Sequence, residues 1–160
     1  MSKGKLFFAG VVGGAAMSVV MGIARAMGMQ VNLEMMLGTL PGLQPGPLTW
    51  IIGLVMHLMI SGLIALVYGV VFERVLHRAG IGAGLLVSIG HTLLAGLFMG
   101  MVPMMHPLIP EQMPAPGFFM ANIGVMGVAA EVMLHLMYGA IVGGLAGGAL
   151  TRRVESPAHS

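Results

Sequence analysis

The 160-residue chain contains no cysteine. Disulfides, thiolate metal sites and cysteine nucleophiles are therefore excluded, while the redox compartment stays open. Charge is also scarce: Asp, Glu, Lys and Arg make up 8% of the residues, against about 25% in soluble domains. Aromatic residues reach only 6%, whereas 58% of the chain is hydrophobic. This is the composition of a membrane protein. Enzyme signatures are missing as well. The glycine runs, such as Val12-Gly13-Gly14-Ala15, lie inside apolar stretches and form no phosphate loop. Ser61 shares a helix face with His57 but lacks the orienting group and oxyanion donors of a nucleophilic triad.

The charge-free runs show how often the chain crosses a bilayer, since one span needs about 20 mostly apolar residues. Four are present: Leu6–Ala24, Thr49–Phe72, one within Ala79–Met105 and one within Phe118–Leu150. They leave no room for a soluble domain, so residues 1–160 read as one integral membrane domain. The first run is longer than a signal-peptide core and has no clear small-residue cleavage site after it, so it reads as a retained span. Lys3, Lys5, Arg74, Arg78, Arg152 and Arg153 alternate with the spans so that all fall on one side. By the positive-inside rule both termini are expected in the cytoplasm. The net charge of +2 thus reflects topology and not a nucleic-acid surface.

Between the first two spans, Asn32 should cap a short helix that ends near Gly38 and Pro41. Trp50 is expected at the interface, as an anchor for the second span. The segment from Met101 to Pro116 carries five prolines and cannot stay helical for long. The tail after Thr151 is polar and is expected to be disordered.

An offset of 78 residues relates the two halves, about 6–76 and 84–153. Met21-Gly22 maps onto Met99-Gly100, Arg74 onto Arg152, and His57-Leu58-Met59 onto His135-Leu136-Met137. A duplicated two-helix unit is expected, with both copies in the same orientation. The fold class is therefore all-α: a four-transmembrane-helix bundle of two parallel two-helix repeats. Steps of four keep one helix face, so Glu131, His135, Gly139, Gly143 and Gly147 form one stripe, and Gly53, His57, Ser61, Ala65 and Gly69 its counterpart. A small-residue face also runs through Gly10, Gly14, Ser18 and Gly22. The stripes of spans two and four are expected to pack on one another near the inner side and to part near His57, Glu131 and His135. That would leave a polar cleft open to the outer side, with His91, Ser88 and Thr92 as its third wall.

Ionisable residues within a span are functional candidates by default. Glu131 should be protonated, hydrogen-bonded to histidine or bound to a cation. His57, His91, Glu131 and His135 form a reasonable ligand set for copper, iron or zinc. His57 and His135 alone would suit the two axial positions of haem b. Met101, Met104, Met105 and His106 form a weaker outer group suited to Cu(I). Simple helix packing, a proton or ion pathway, and a non-catalytic accessory subunit in a homo-oligomer or larger membrane complex stand beside the metal reading.

The motifs Trp50-Ile51-Ile52-Gly53-Leu54-Val55-Met56-His57, Tyr68-Gly69, Met101-Val102-Pro103-Met104 and His135-Leu136-Met137-Tyr138-Gly139 resemble a family of small bacterial four-helix inner-membrane proteins of unknown function. The likeness spans roughly residues 8–148. It implies an inner-membrane location and this topology, but no activity.

Overall fold

The computed structural model describes residues 2–154, with side chains described as far as residue 147. The expected disorder of the tail falls largely on residues 155–160, outside the described residues. The chain forms α1 (Lys3–Ala26), α2 (Leu33–Thr39), α3 (Pro47–Val71), a π turn (Phe72–Leu76), α4 (Ile81–Met105), a 3-10 turn (Phe118–Ile123) and α5 (Val125–Val154). Four segments are long and apolar enough to cross a membrane: Lys3–Ala26, Pro47–Leu76, Ile81–Met105 and Val125–Gly147. Their outward faces carry large apolar side chains, among them Val55, Leu63 and Val67 on α3 and Ile89, Leu93 and Leu97 on α4. Such faces belong in lipid, and the chain is a helical membrane bundle.

Local sequence explains where the helices begin and end. Asn32 caps α2 by accepting a hydrogen bond from the Met35 N–H at 3.0 Å, as the Asn-x-x spacing predicts. Pro47 opens α3, where its missing N–H costs nothing. The π turn ends at His77, whose left-handed backbone (φ 52°) reverses the chain. Pro103 lies in the last turns of α4, and the helix ends two residues later. The chain side bearing the start of α1 and the α3–α4 turn is called here the terminal face, and the opposite side the loop face.

Small residues decide which helices meet. A Cβ on Gly10 would collide with the Ser61 carbonyl and Ala65, and one on Gly14 with the Ser61 side chain, so α1 lies backbone to backbone on α3. A Cβ on Gly84 would strike the Gly139 carbonyl, and one on Gly143 the Gly80 carbonyl, so α4 lies equally close on α5. This corrects the expected pairing: each stripe closes its own hairpin, and the small-residue faces of α3 and α5 meet α1 and α4 instead of one another. Glycine faces bring the nearest helix that also presents glycine, and α1 and α4 present it. α1 also packs against α5, where the Tyr138 ring covers Gly13, whereas α3 makes only slight contact with α4 and α5. Glycine contacts thus close both hairpins, and α1 rather than α3 makes the larger helix contact between them. Between them lies a core of Tyr68, Phe72, Tyr138, Met17, Met21 and Val142.

Candidate functional site

Two polar clusters occupy the membrane interior, one in each hairpin. In the second, the His91 ring of α4 meets the His135 ring of α5 edge to face, with centroids 4.6 Å apart and planes at 87°. The glycine contacts at Gly84 and Gly139 bring the helices close enough for this approach. His135 Nδ1–H donates to the Glu131 backbone carbonyl at 2.7 Å. Because a carbonyl can only accept, the proton of a neutral His135 ring sits on Nδ1 and leaves Nε2 as the bare nitrogen. On the other side, His91 Nδ1 shares a hydrogen bond of 3.1 Å with the Tyr68 hydroxyl from α3. Tyr138 stacks edgewise on both His91 and Tyr68 and donates its hydroxyl proton to the Ser61 carbonyl. These two tyrosines bridge α3 to the second hairpin where the helices themselves scarcely touch.

Glu131 completes this cluster. It is 4% exposed, its Oε1 lies 3.7 Å from His135 Nδ1, and that oxygen makes no hydrogen bond. A buried, unsatisfied carboxylate oxygen is costly in an apolar medium. Ser88 and Thr92, read from the sequence as part of a polar wall, instead donate to the Leu85 and Ser88 carbonyls of their own helix, at 2.7 Å each.

The first hairpin holds His57, whose Nδ1 lies 2.9 Å from Ser18 Oγ on α1. Gly53 stands one turn towards the loop face. Its missing side chain admits α2 so closely that a Cβ there would strike the Glu34 carbonyl. Glu34 is thereby fully buried. Arg25 holds its Oε2 at 2.9 Å, and its Oε1 has no hydrogen-bond partner. Sequence reading put Glu34 in the short helix capped by Asn32 but gave it, like Tyr68, Tyr138 and Ser18, no part in the site. The recurrence of Tyr-Gly in two spans, at Tyr68-Gly69 and Tyr138-Gly139, was the available signal.

The structure therefore brings His91, His135 and Glu131 together and seats His57 apart, against α1. No ring contact or hydrogen bond joins His57 to His135 among the described residues. Nor does any group of three or more His, Asp or Glu side chains gather as for a metal ion among them. The outward-open cleft is also corrected, because residues 118–123 fold back over the loop-face end of α4 and α5. Of the outer candidates, Met101, Met104 and Met105 are exposed. His106 is buried with both ring nitrogens engaged: Nδ1 accepts the Leu108 N–H at 3.1 Å, so Nε2–H donates to the Met36 carbonyl at 2.9 Å. Thr39 Oγ1 also approaches Nε2 at 3.1 Å. This ring ties the end of α4 to α2. No protein-family model matches the chain, and no curated protein or solved structure matches it either.

Proposed function

We propose that the protein is a proton-binding membrane module, in which His91, His135 and Glu131 hold an exchangeable proton within the bilayer. The observation that carries this reading is the contact of two imidazoles 4.6 Å apart beside a buried carboxylate with an unsatisfied oxygen. Touching imidazoles accommodate one positive charge far more readily than two, and a nearby carboxylate can give or take the same proton. Glycine-mediated backbone contact between α4 and α5 closes the cluster towards the terminal face. A site closed on that side suits a proton-responsive accessory subunit, in a homo-oligomer or larger membrane complex, better than a conductor. The basic residues at the terminal face support placing that face in the cytoplasm and the chain in the inner membrane.

Magnetic resonance of isotope-labelled histidine in lipid nanodiscs tests the reading. His91 and His135 should titrate as a coupled pair in wild type, and the coupling should change in Glu131→Gln. Independent, identical titrations in both proteins would overturn it. The competing reading is a copper, iron or zinc ion held by His91, His135, Glu131 and His57, or haem b on His57 and His135. What favours it is that both His91 and His135 engage Nδ1 and leave Nε2, the arrangement typical of a ligand oriented from behind. Stoichiometric metal lost in His91→Ala, or a Soret band lost in His57→Ala, would replace the proton reading.

A further inference from the structure

We infer that Phe118–Ile123 is a lid that controls access from the loop face to Glu131. The inference deepens the proposed proton-binding role by naming the route by which water reaches the site. The segment lies between Gly117 (φ 73°) and Gly124 (φ 86°), two residues whose backbones pivot without a side-chain clash. Within it Phe119 and Met120 hold φ values of 52° and 58°, in the left-handed region that residues bearing a Cβ avoid. Such a conformation persists only where neighbouring contacts impose it.

The contacts are specific. The Phe119 ring fills the space where a Gly96 Cβ would stand, and the Phe118 ring does the same at Gly100, so α4 offers two glycine seats one turn apart. Met120 is buried and its carbonyl packs on Gly127. Asn122 fastens the segment to the preceding loop, its side chain donating to the Ala115 carbonyl at 3.2 Å and its N–H to the Pro116 carbonyl at 3.1 Å. Gly127, Glu131 and His135 follow at steps of four along one face of α5. Met120 therefore sits one turn above Glu131 on the face that carries the carboxylate. Docked, the lid keeps Glu131 from water; undocked, it frees a backbone conformation that only packing sustains.

The chain has no cysteine, so Glu131→Cys supplies a single thiol whose reaction with a charged, membrane-impermeant thiol reagent in nanodiscs reports access. Labelling should be slow with the native lid. Phe119→Ala, which removes the ring, should raise the rate about tenfold or more, as expected when local opening is favoured. Gly96→Ala should do the same by displacing the ring, without altering the lid's own sequence. A thiol at the exposed loop position, Gln112→Cys, should react fast in all backgrounds, and unchanged helical circular dichroism marks intact folding. If one lid variant misfolds, the other decides. The lid is overturned if labelling at position 131 is unchanged by an intact lid variant, or is already as fast as at position 112 with the native lid. The readout needs no proton transfer: accelerated labelling without coupled histidine titration keeps the lid and removes the proton reading, and the converse result removes the lid alone.

Discussion

The two hairpins solve one problem in two ways. In each, a histidine lies in the membrane with a buried carboxylate one turn nearer the loop face, and in each that carboxylate has one oxygen without a hydrogen bond. In α5 the acid belongs to the helix itself, as Glu131. In α3 the position one turn before His57 is Gly53, and the gap admits α2, which delivers Glu34 from a separate element. The neighbours differ accordingly. Glu34 faces Arg25, whereas Glu131 has His135 beside it. A guanidinium stays charged at any pH a folded protein meets, whereas an imidazole can carry or release a proton. The first cluster therefore reads as structural and the second as the exchangeable one.

The largest effect should come from breaking the backbone contact on which the second cluster depends. Gly84→Leu places a side chain against the Gly139 carbonyl. Overpacking costs about 1–3 kcal/mol and more where the obstacle is backbone, so α4 and α5 should part and the protein should lose its folded state in mild detergent. Gly82→Leu, on the same helix with open space around its Cβ position, should leave the unfolding midpoint nearly unchanged. Equal behaviour of the two variants would show that the helices are not held at that seam.

Next in size is the separation of the two carboxylates by their partners. Removing one member of a buried ion pair costs about 3–5 kcal/mol because the other is left charged. The Arg25 side chain is 21% exposed, so Arg25→Ala should cost less, about 2 kcal/mol, and Glu34→Gln in the same chain should recover most of it. Glu131→Gln alone should be close to neutral, since it exchanges an unsatisfied carboxylate for an uncharged amide of the same shape. Equal losses for Arg25→Ala and for the double variant would remove the distinction between a fixed and an exchangeable acid.

The four spans, the α2 cap and the buried histidines were legible because each rests on local chemistry: an apolar run, an Asn three residues before a free N–H, an imidazole surrounded by Leu and Met. The partners were not. Glycine stripes announce close packing without naming the second helix, and here α1 and α4 took the faces expected to join α3 to α5. Glu34 was legible only as a residue of the short helix, because nothing local shows that Gly53 and Gly38, on different helices, make room for α2 against α3. Likewise His91 was read as a third wall beside Ser88 and Thr92, yet those hydroxyls bond their own helix and leave the imidazole to the ring of His135.

The finest test compares the single hydrogen bonds that anchor each histidine. Ser18→Ala removes the hydroxyl from His57 Nδ1, and Tyr68→Phe removes it from His91 Nδ1; either should cost about 0.5–1.5 kcal/mol in a denaturation series. Their consequences should then diverge. His57 keeps its place between α1 and α3, fixed by glycine contacts that the Ser18 change does not touch, so the histidine resonances of the second hairpin should stay where they are. In Tyr68→Phe, His91 has lost the hydroxyl that bridges it to α3, and its ring is free to turn against His135. The coupled titration of those two rings should weaken in Tyr68→Phe and persist in Ser18→Ala, because the tyrosine, unlike Ser18, holds one of the two rings.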